Sequence, residues 1–174
     1  MVMLASQPDL AINEEALTTP TVAAAYALGQ EVTFRNMTTG LIDKYKYVKA
    51  HAALTQYAPY VIYPVATTAT GSEVVTAAPA TNTVQMVQVG VPQAAFTSSY
   101  YGFVKTLGQT TVVTVSGLVN SLYCKAINTQ AYAVESGTGV AVPGITSFGV
   151  CASVTSTGTT ATINLLDRLV SITT

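Results

Sequence analysis

The chain has 174 residues, of which only 9% are Asp, Glu, Lys or Arg, against roughly 25% in an ordinary soluble domain. Hydrophobic residues make up 49%, yet Thr, Ser, Asn, Gln or Gly interrupts every apolar stretch before the ~18 to 20 residues that a spanning helix needs, and disorder requires the opposite balance of hydrophobicity and charge. A net charge of -1 gives little mutual repulsion, so the composition describes a folded chain whose surface of Thr, Ser, Gln, Asn and backbone packs against other proteins.

The length fits one domain with an extension. Seven basic residues face eight acidic ones, a balance that argues against a nucleic-acid partner. The opening Met1-Val-Met-Leu-Ala-Ser-Gln-Pro-Asp9 lacks a basic segment and a long apolar run, so a chain made in the cytoplasm without a secretory signal is expected.

Residues 1–28 read as an extended N-terminal arm. Pro8 and Pro20 punctuate it, Glu14 and Glu15 form its acidic spot, and Pro20 and Gly29 bracket Ala23 to Leu28 too closely for more than a short helix. From residue 29 to 174 the pattern is strand and turn. Glu31-Val-Thr-Phe-Arg-Asn36 alternates, then Tyr45-Lys-Tyr-Val-Lys-Ala50 and Tyr60-Val-Ile-Tyr63 carry the aromatic and β-branched residues of half-buried strands. Residues 65–82, rich in Thr and Ala with no clear period, read as a long surface loop or a weak hairpin.

Seven further strands are expected at 84–91, 100–106, 110–116, 122–127, 131–134, 148–154 and 159–166, mostly at the 8 to 12 residue cadence of a sandwich or barrel. Thr160, Thr162 and Asn164 alternate with Ala161, Ile163 and Leu165, so one face is polar and the other buried. Turns centred on Gly108, Gly117, Gly137 to Gly139 and Gly158 are expected to separate them. The end of the chain reads as a turn at Asp167-Arg168 between short strands, or as one strand in which these two residues point apart.

Chemistry-bearing residues are sparse. The one His, His51, lies among alanines, and a single His makes no ordinary zinc site without carboxylate or thiolate partners. Glu14 and Glu15 are sequence neighbours rather than a facing pair of carboxylates. Phosphate-loop, nucleophile-elbow and dinucleotide fingerprints are missing. Asn36-Met37-Thr38 matches a glycosylation acceptor but has no secretory context. Cys124 and Cys151 read as reduced, buried thiols. No catalytic residue, cofactor or metal ligand is assigned, and an enzyme is not expected.

Asp43-Lys-Tyr-Lys-Tyr-Val-Lys49 interleaves basic and aromatic residues, as single-strand binders do. In a strand, however, Lys44 and Lys46 share one face and Tyr45, Tyr47 and Lys49 the other. That is a solvated lysine face over a tyrosine core face, better suited to an acidic patch on a protein partner than to a nucleic acid.

Taken together, the Pro-punctuated arm, the charge-poor Thr/Ala/Val/Gly β-domain, the run from Ser99 through Gln109 into Thr110-Thr-Val-Val-Thr-Val-Ser-Gly117, and the closing pattern Ser147-Phe-Gly-Val-Cys151 to Ala161-Thr-Ile-Asn-Leu-Leu-Asp-Arg168 resemble the head decoration, or cement, proteins of tailed bacteriophages. The resemblance covers residues 84–172 in pattern and the arm in character, and the chain is longer than the shortest members, notably through 65–82. It implies an all-β fold, a small β-barrel, β-tulip or sandwich-like domain with an extended N-terminal arm. It further implies a homotrimer on the outer surface of the major capsid protein lattice, located in the virion, with the arm extending a capsid sheet. Strand addition of this kind binds through backbone hydrogen bonds and alternate side chains, and an oligomer multiplies modest contacts. Leu4, Leu10 and Ile12 are the expected capsid-binding anchors of the arm, and Lys44, Lys46, Asp167 and Arg168 are candidate subunit or capsid contacts. The alternatives are a phage tail, baseplate or fibre β-module and, more distantly, a small β-domain enzyme or carbohydrate-binding module.

Overall fold

The computed structural model describes residues 3–5, 12, 15–64, 73–76, 86–114, 123–126, 134–136, 147–154, 160–167 and 169–171. The described residues form an all-β fold: β1 (Met3–Ala5), β2 (Glu31–Asn36), β3 (Ile42–Ala50), β4 (Tyr60–Pro64), β5 (Glu73–Thr76), β6 (Met86–Pro92), β7 (Tyr101–Val113), β8 (Tyr123–Ala126), β9 (Val134–Ser136), β10 (Gly149–Val154), β11 (Thr160–Leu166) and β12 (Leu169–Ser171). A single 3-10 turn, Glu15–Leu17, is the one helical element among them. The expected all-β class is therefore what the chain adopts.

β3 and β7 organise the molecule. β3 pairs antiparallel with β2 on one side and β7 on the other, and β7 continues into β11, then β10, β8 and β9. β3 also pairs parallel with β5, which leads through β4 and β6 back to β7. This circuit of five strands is held at two points, β3 to β5 and β6 to β7, by ladders of only two residue pairs each. It is not a uniformly hydrogen-bonded closed barrel.

One expectation narrows to its hairpin alternative and another changes. Residues 73–76, inside the segment read as a loop or weak hairpin, form β5 antiparallel to β4, with Val61 opposite Thr76 and Tyr63 opposite Val74. The strands expected at 100–106 and 110–116 are one strand through residue 113. Gly108 does have the positive φ that its turn reading required, +71° at Gly40 being matched by +100° at Gly108. At Gly40 this closes the β2–β3 hairpin, whereas at Gly108 it lies within a strand, beside the register shift where Lys44 faces Leu107 and Tyr45 faces Lys105. A glycine inside a strand commonly marks such an irregularity or a close approach, and an added Cβ here would collide with Asp43 Oδ1. The turns expected at Gly117, Gly137 to Gly139 and Gly158 lie outside the described residues.

The described apolar side chains gather in three clusters. Val48, Ala50, Leu54, Ala58, Tyr60, Ile62, Phe96 and Val104 form one, and Val112, Cys124, Phe148, Cys151, Ile163 and Leu165 belong to a second. The third contains Ile12, Leu17, Val32, Phe34, Tyr45, Tyr47 and Phe103, with Tyr26, Leu28 and Tyr101 packed against it. Within it, Tyr47 and Phe103 rings lie 4.9 Å apart and Tyr26 meets Tyr47 edge-on at 5.2 Å. Such ring pairs add ~0.5–1.5 kcal/mol beyond their burial. β7 supplies both of its faces: Phe103 enters the third cluster and Val104 the first.

Much of the segment expected as an arm is structural in its own chain. Leu17 is 3% exposed in the third cluster, Thr21 exchanges two backbone hydrogen bonds with Tyr101 at 2.8 Å each, and Gly29 N donates to Tyr47 O at 2.9 Å. β1 pairs with β2, Leu4 opposite Arg35. With respect to described strands, β1 has a partner on one side only, which makes it an edge.

Candidate functional site

β3 carries its charges on two faces because side chains alternate along a strand. On one face Lys44 Nζ meets Glu31 Oε2 at 2.6 Å and Asp167 Oδ2 at 2.9 Å, while Lys46 Nζ lies 3.5 Å from Glu31 Oε1. Gln88 of β6 completes the network: Lys46 Nζ donates to its Oε1 at 2.9 Å, and its Nε2 donates to Asp167 Oδ1 at 2.6 Å. Asp167 is placed by the corner between β11 and β12. Its φ is +38° and its N–H donates to Thr106 O at 3.2 Å. Burial works against the charge on Lys44, but hydrogen bonds to Glu31 and Asp167 and the charges of both outweigh it and hold the ammonium above its ordinary range.

On the other face Asp43 and Lys105 form an ion pair at 2.8 Å, with side chains 1% and 5% exposed. Asn36 Nδ2 donates to the same Asp43 Oδ2 at 3.2 Å, and Lys105 Nζ also donates to Gln109 O at 2.6 Å. The Lys105 ammonium lies 5.5 Å from the centre of the Tyr45 ring. Asn36 is held at its other end too, since Thr38 N and Thr39 N donate to its Oδ1 at 3.0 and 3.2 Å. Asp43 Oδ1 is buried without a hydrogen-bond partner. Burial pushes the Lys105 amine below its ordinary range, an effect that the hydrogen bond and charge of Asp43 offset only in part.

The remaining features are quieter. Cys124 and Cys151 are buried thiols on paired strands, not joined as a disulfide but hydrogen-bonded to each other. Burial, reinforced by Cys151, pushes Cys124 up to about 12, so it stays a protonated thiol at neutral pH. A cleft of about 270 Å³ is lined by residues that include Glu15, Thr19, Thr21, Tyr26 and Tyr47. The Tyr47 hydroxyl accepts a hydrogen bond from Ala25 N at 2.9 Å. No three His, Cys, Asp or Glu side chains gather as a metal site among the described residues. His51 is exposed, and its carbonyl accepts from Ser98 Oγ at 3.2 Å.

No family model, curated protein or solved structure matches the chain. Its own geometry therefore carries the functional reading.

Of the residues singled out in the sequence, Lys44, Lys46 and Asp167 come together in one network. Instead of facing solvent, the lysines are satisfied within the chain. Leu4 lies on β1 beside β2, Ile12 is 7% exposed in the third cluster, and Leu10 and Arg168 fall outside the described residues. Pattern reading missed the Asn36, Asp43 and Lys105 cluster and an apolar tip on the β2–β3 hairpin, where Met37, Leu41 and Ile42 are 55%, 43% and 54% exposed. The tip had a visible signal, apolar residues on both sides of Thr38-Thr-Gly40. The buried cluster had none, because Lys105 joins Asp43 only through the β3–β7 register.

Proposed function

We propose that the protein is a structural virion component, a head decoration protein that binds the outer surface of the major capsid protein lattice as a homotrimer and stabilises the head. The observation that carries this reading is where the charge goes. Lys44, Lys46, Glu31 and Asp167 neutralise one another, and Asp43 and Lys105 are buried as a pair. Among the described side chains, this leaves Glu15, Arg35 and Lys49 as the charges outside these networks, beside an apolar hairpin tip at Met37, Leu41 and Ile42. A surface of this kind gains by being covered, and a lattice of identical neighbours offers that cover with avidity. Among the described strands β1 pairs on one side only, which adds an edge at which a capsid strand can pair.

The test is co-sedimentation of the purified chain with expanded, undecorated heads assembled from the major capsid protein of the genome that encodes it. Binding at saturating occupancy supports decoration, and free protein in the supernatant at every ratio overturns it. Because the contacts are mainly apolar and backbone in kind, binding should persist at about 1 M salt, where charges are screened beyond roughly 3 Å. Removing residues 1–20 is too deep a cut to test the arm, since it takes Ile12 and Leu17 from the core. Removing residues 1–10 spares both, and that truncation should remain folded and lose head binding.

A further inference from the structure

The buried cluster at Asn36, Asp43 and Lys105 assembles an amine, an amide and a shared carboxylate in a place where water is excluded. Asp43 Oδ2 touches Lys105 Nζ at 2.8 Å and Asn36 Nδ2 at 3.2 Å, so both nitrogens sit on one oxygen. Asn36 is at the end of β2, Asp43 on β3 and Lys105 on β7, three neighbouring strands with β3 in the middle. The amide carbonyl of Asn36 already accepts two backbone N–H groups, from Thr38 and Thr39. Two donors on one carbonyl oxygen are what stabilises the oxyanion of an acyl-transfer intermediate. The geometry points to a covalent cross-link: an isopeptide bond between Lys105 Nζ and Asn36 Cγ, formed within the chain with Asp43 as proton carrier.

The steps balance without an added reagent. Asp43 takes a proton from the Lys105 ammonium across their hydrogen bond, leaving a neutral amine and a neutral acid. Burial of the Lys105 ammonium favours the loss of its proton. The amine moves off Asp43 and Gln109 O onto Asn36 Cγ, the new C–N bond forms, and the carbonyl electrons move to Oδ1 between Thr38 N–H and Thr39 N–H. Asp43 gives its proton to Nδ2, the carbonyl reforms, and the C–Nδ2 bond breaks to release ammonia. Asp43 then removes the extra proton from Nζ. One amine and one primary amide become one secondary amide and ammonia, with no oxidation or reduction. Held neighbours and a dry site are the conditions under which a weak nucleophile can attack an amide.

Such a bond would tie β2 to β7 across β3, next to the hairpin tip, in a chain without a disulfide among its two cysteines. It is independent of the capsid reading, because the mass of the isolated chain reports it. High-resolution mass spectrometry of the purified full chain, denatured and with N-terminal processing accounted for, should find it lighter than its sequence by one ammonia. A protease digest should yield one branched peptide joining Asn36 and Lys105. Asn36→Ala and Lys105→Arg should run at full sequence mass, and Asp43→Asn, which keeps the shape and removes the proton carrier, should be unlinked or linked only slowly. A wild-type chain at full sequence mass overturns the proposal even if every variant fails to fold. So does a deficit of one water mapped to Asp43 and Lys105, or an ammonia loss mapped to any other residue.

Discussion

Asp43 and Lys44 are neighbours in sequence and face opposite sides of β3, and the two sides handle charge differently. On the Lys44 side, four charged residues and Gln88 share a network whose carboxylate Glu31 is 37% exposed, so water and salt temper each pair. On the Asp43 side, one pair stands at 1% and 5% exposure with Asn36 and Tyr45 as its surroundings. A half-exposed ion pair contributes up to about 1 kcal/mol, whereas breaking a buried one by removing a single partner costs about 3–5 kcal/mol. Position relative to solvent, not the number of bonds, decides which of the two the fold depends on.

The difference can be broken most severely on the buried side. Asp43→Ala leaves the Lys105 ammonium at 5% exposure without its counterion, and urea unfolding should show a loss of about 3–5 kcal/mol. Equal losses for Asp43→Ala and Lys44→Met would contradict the distinction. Next in size is Gly108→Ala, which places a Cβ against Asp43 Oδ1 at a backbone φ of +100°. It should cost more than about 1 kcal/mol and lower the melting temperature, because both the conformation and the space are wrong for alanine.

Lys44→Met probes the exposed side. At neutral pH it should cost less than about 1 kcal/mol in chemical denaturation. Its pH dependence has a definite sign. Because the folded pKa of Lys44 is raised above 10.5, its contribution is fully present below that value and is lost as pH rises through the folded pKa. The alkaline fall in stability should therefore be shallower in the Met variant than in the wild type. Before it is cross-linked, Lys105 acts oppositely: its folded pKa is lowered, so its charged form weighs against folding at neutral pH, and that penalty fades as pH rises toward 10.5.

The smallest effect concerns the second apolar cluster. Cys124, raised from 9.0 to about 12, should leave stability unchanged below pH 9 and lower it above, as the unfolded chain alone ionises. At pH 8 a chromogenic disulfide reagent should react slowly with the native protein and rapidly after denaturation. Fast native labelling at Cys124 would mean that this cluster is open.

The all-β class was legible because alternation at Glu31–Asn36 and Thr160–Leu166 is a local property, and both strands lie at the residues where it occurs. The break expected at Gly108 was misread for an equally local reason. A glycine with positive φ serves a hairpin or a kink within a strand, and only the carboxylate of Asp43 beside it shows which. The Lys44 and Lys46 face was visible from spacing, but their partners lie elsewhere in the chain, at Gln88 and Asp167, and pattern cannot supply those. Ile12 was read as an anchor for a partner because it is apolar in a polar run, and the same property buries it in the cluster that holds Phe34 and Tyr47. Hydrophobicity states that a side chain is to be covered without stating by which molecule.

The most direct measurement of the decoration reading is cryo-electron microscopy of heads assembled with and without this chain. Trimeric density at three-fold or quasi-three-fold positions on the outer capsid surface, present only when the chain is supplied and fitted by the β2–β3 tip against the lattice, is the predicted result. Density confined to the tail, or heads identical in both preparations, would contradict it.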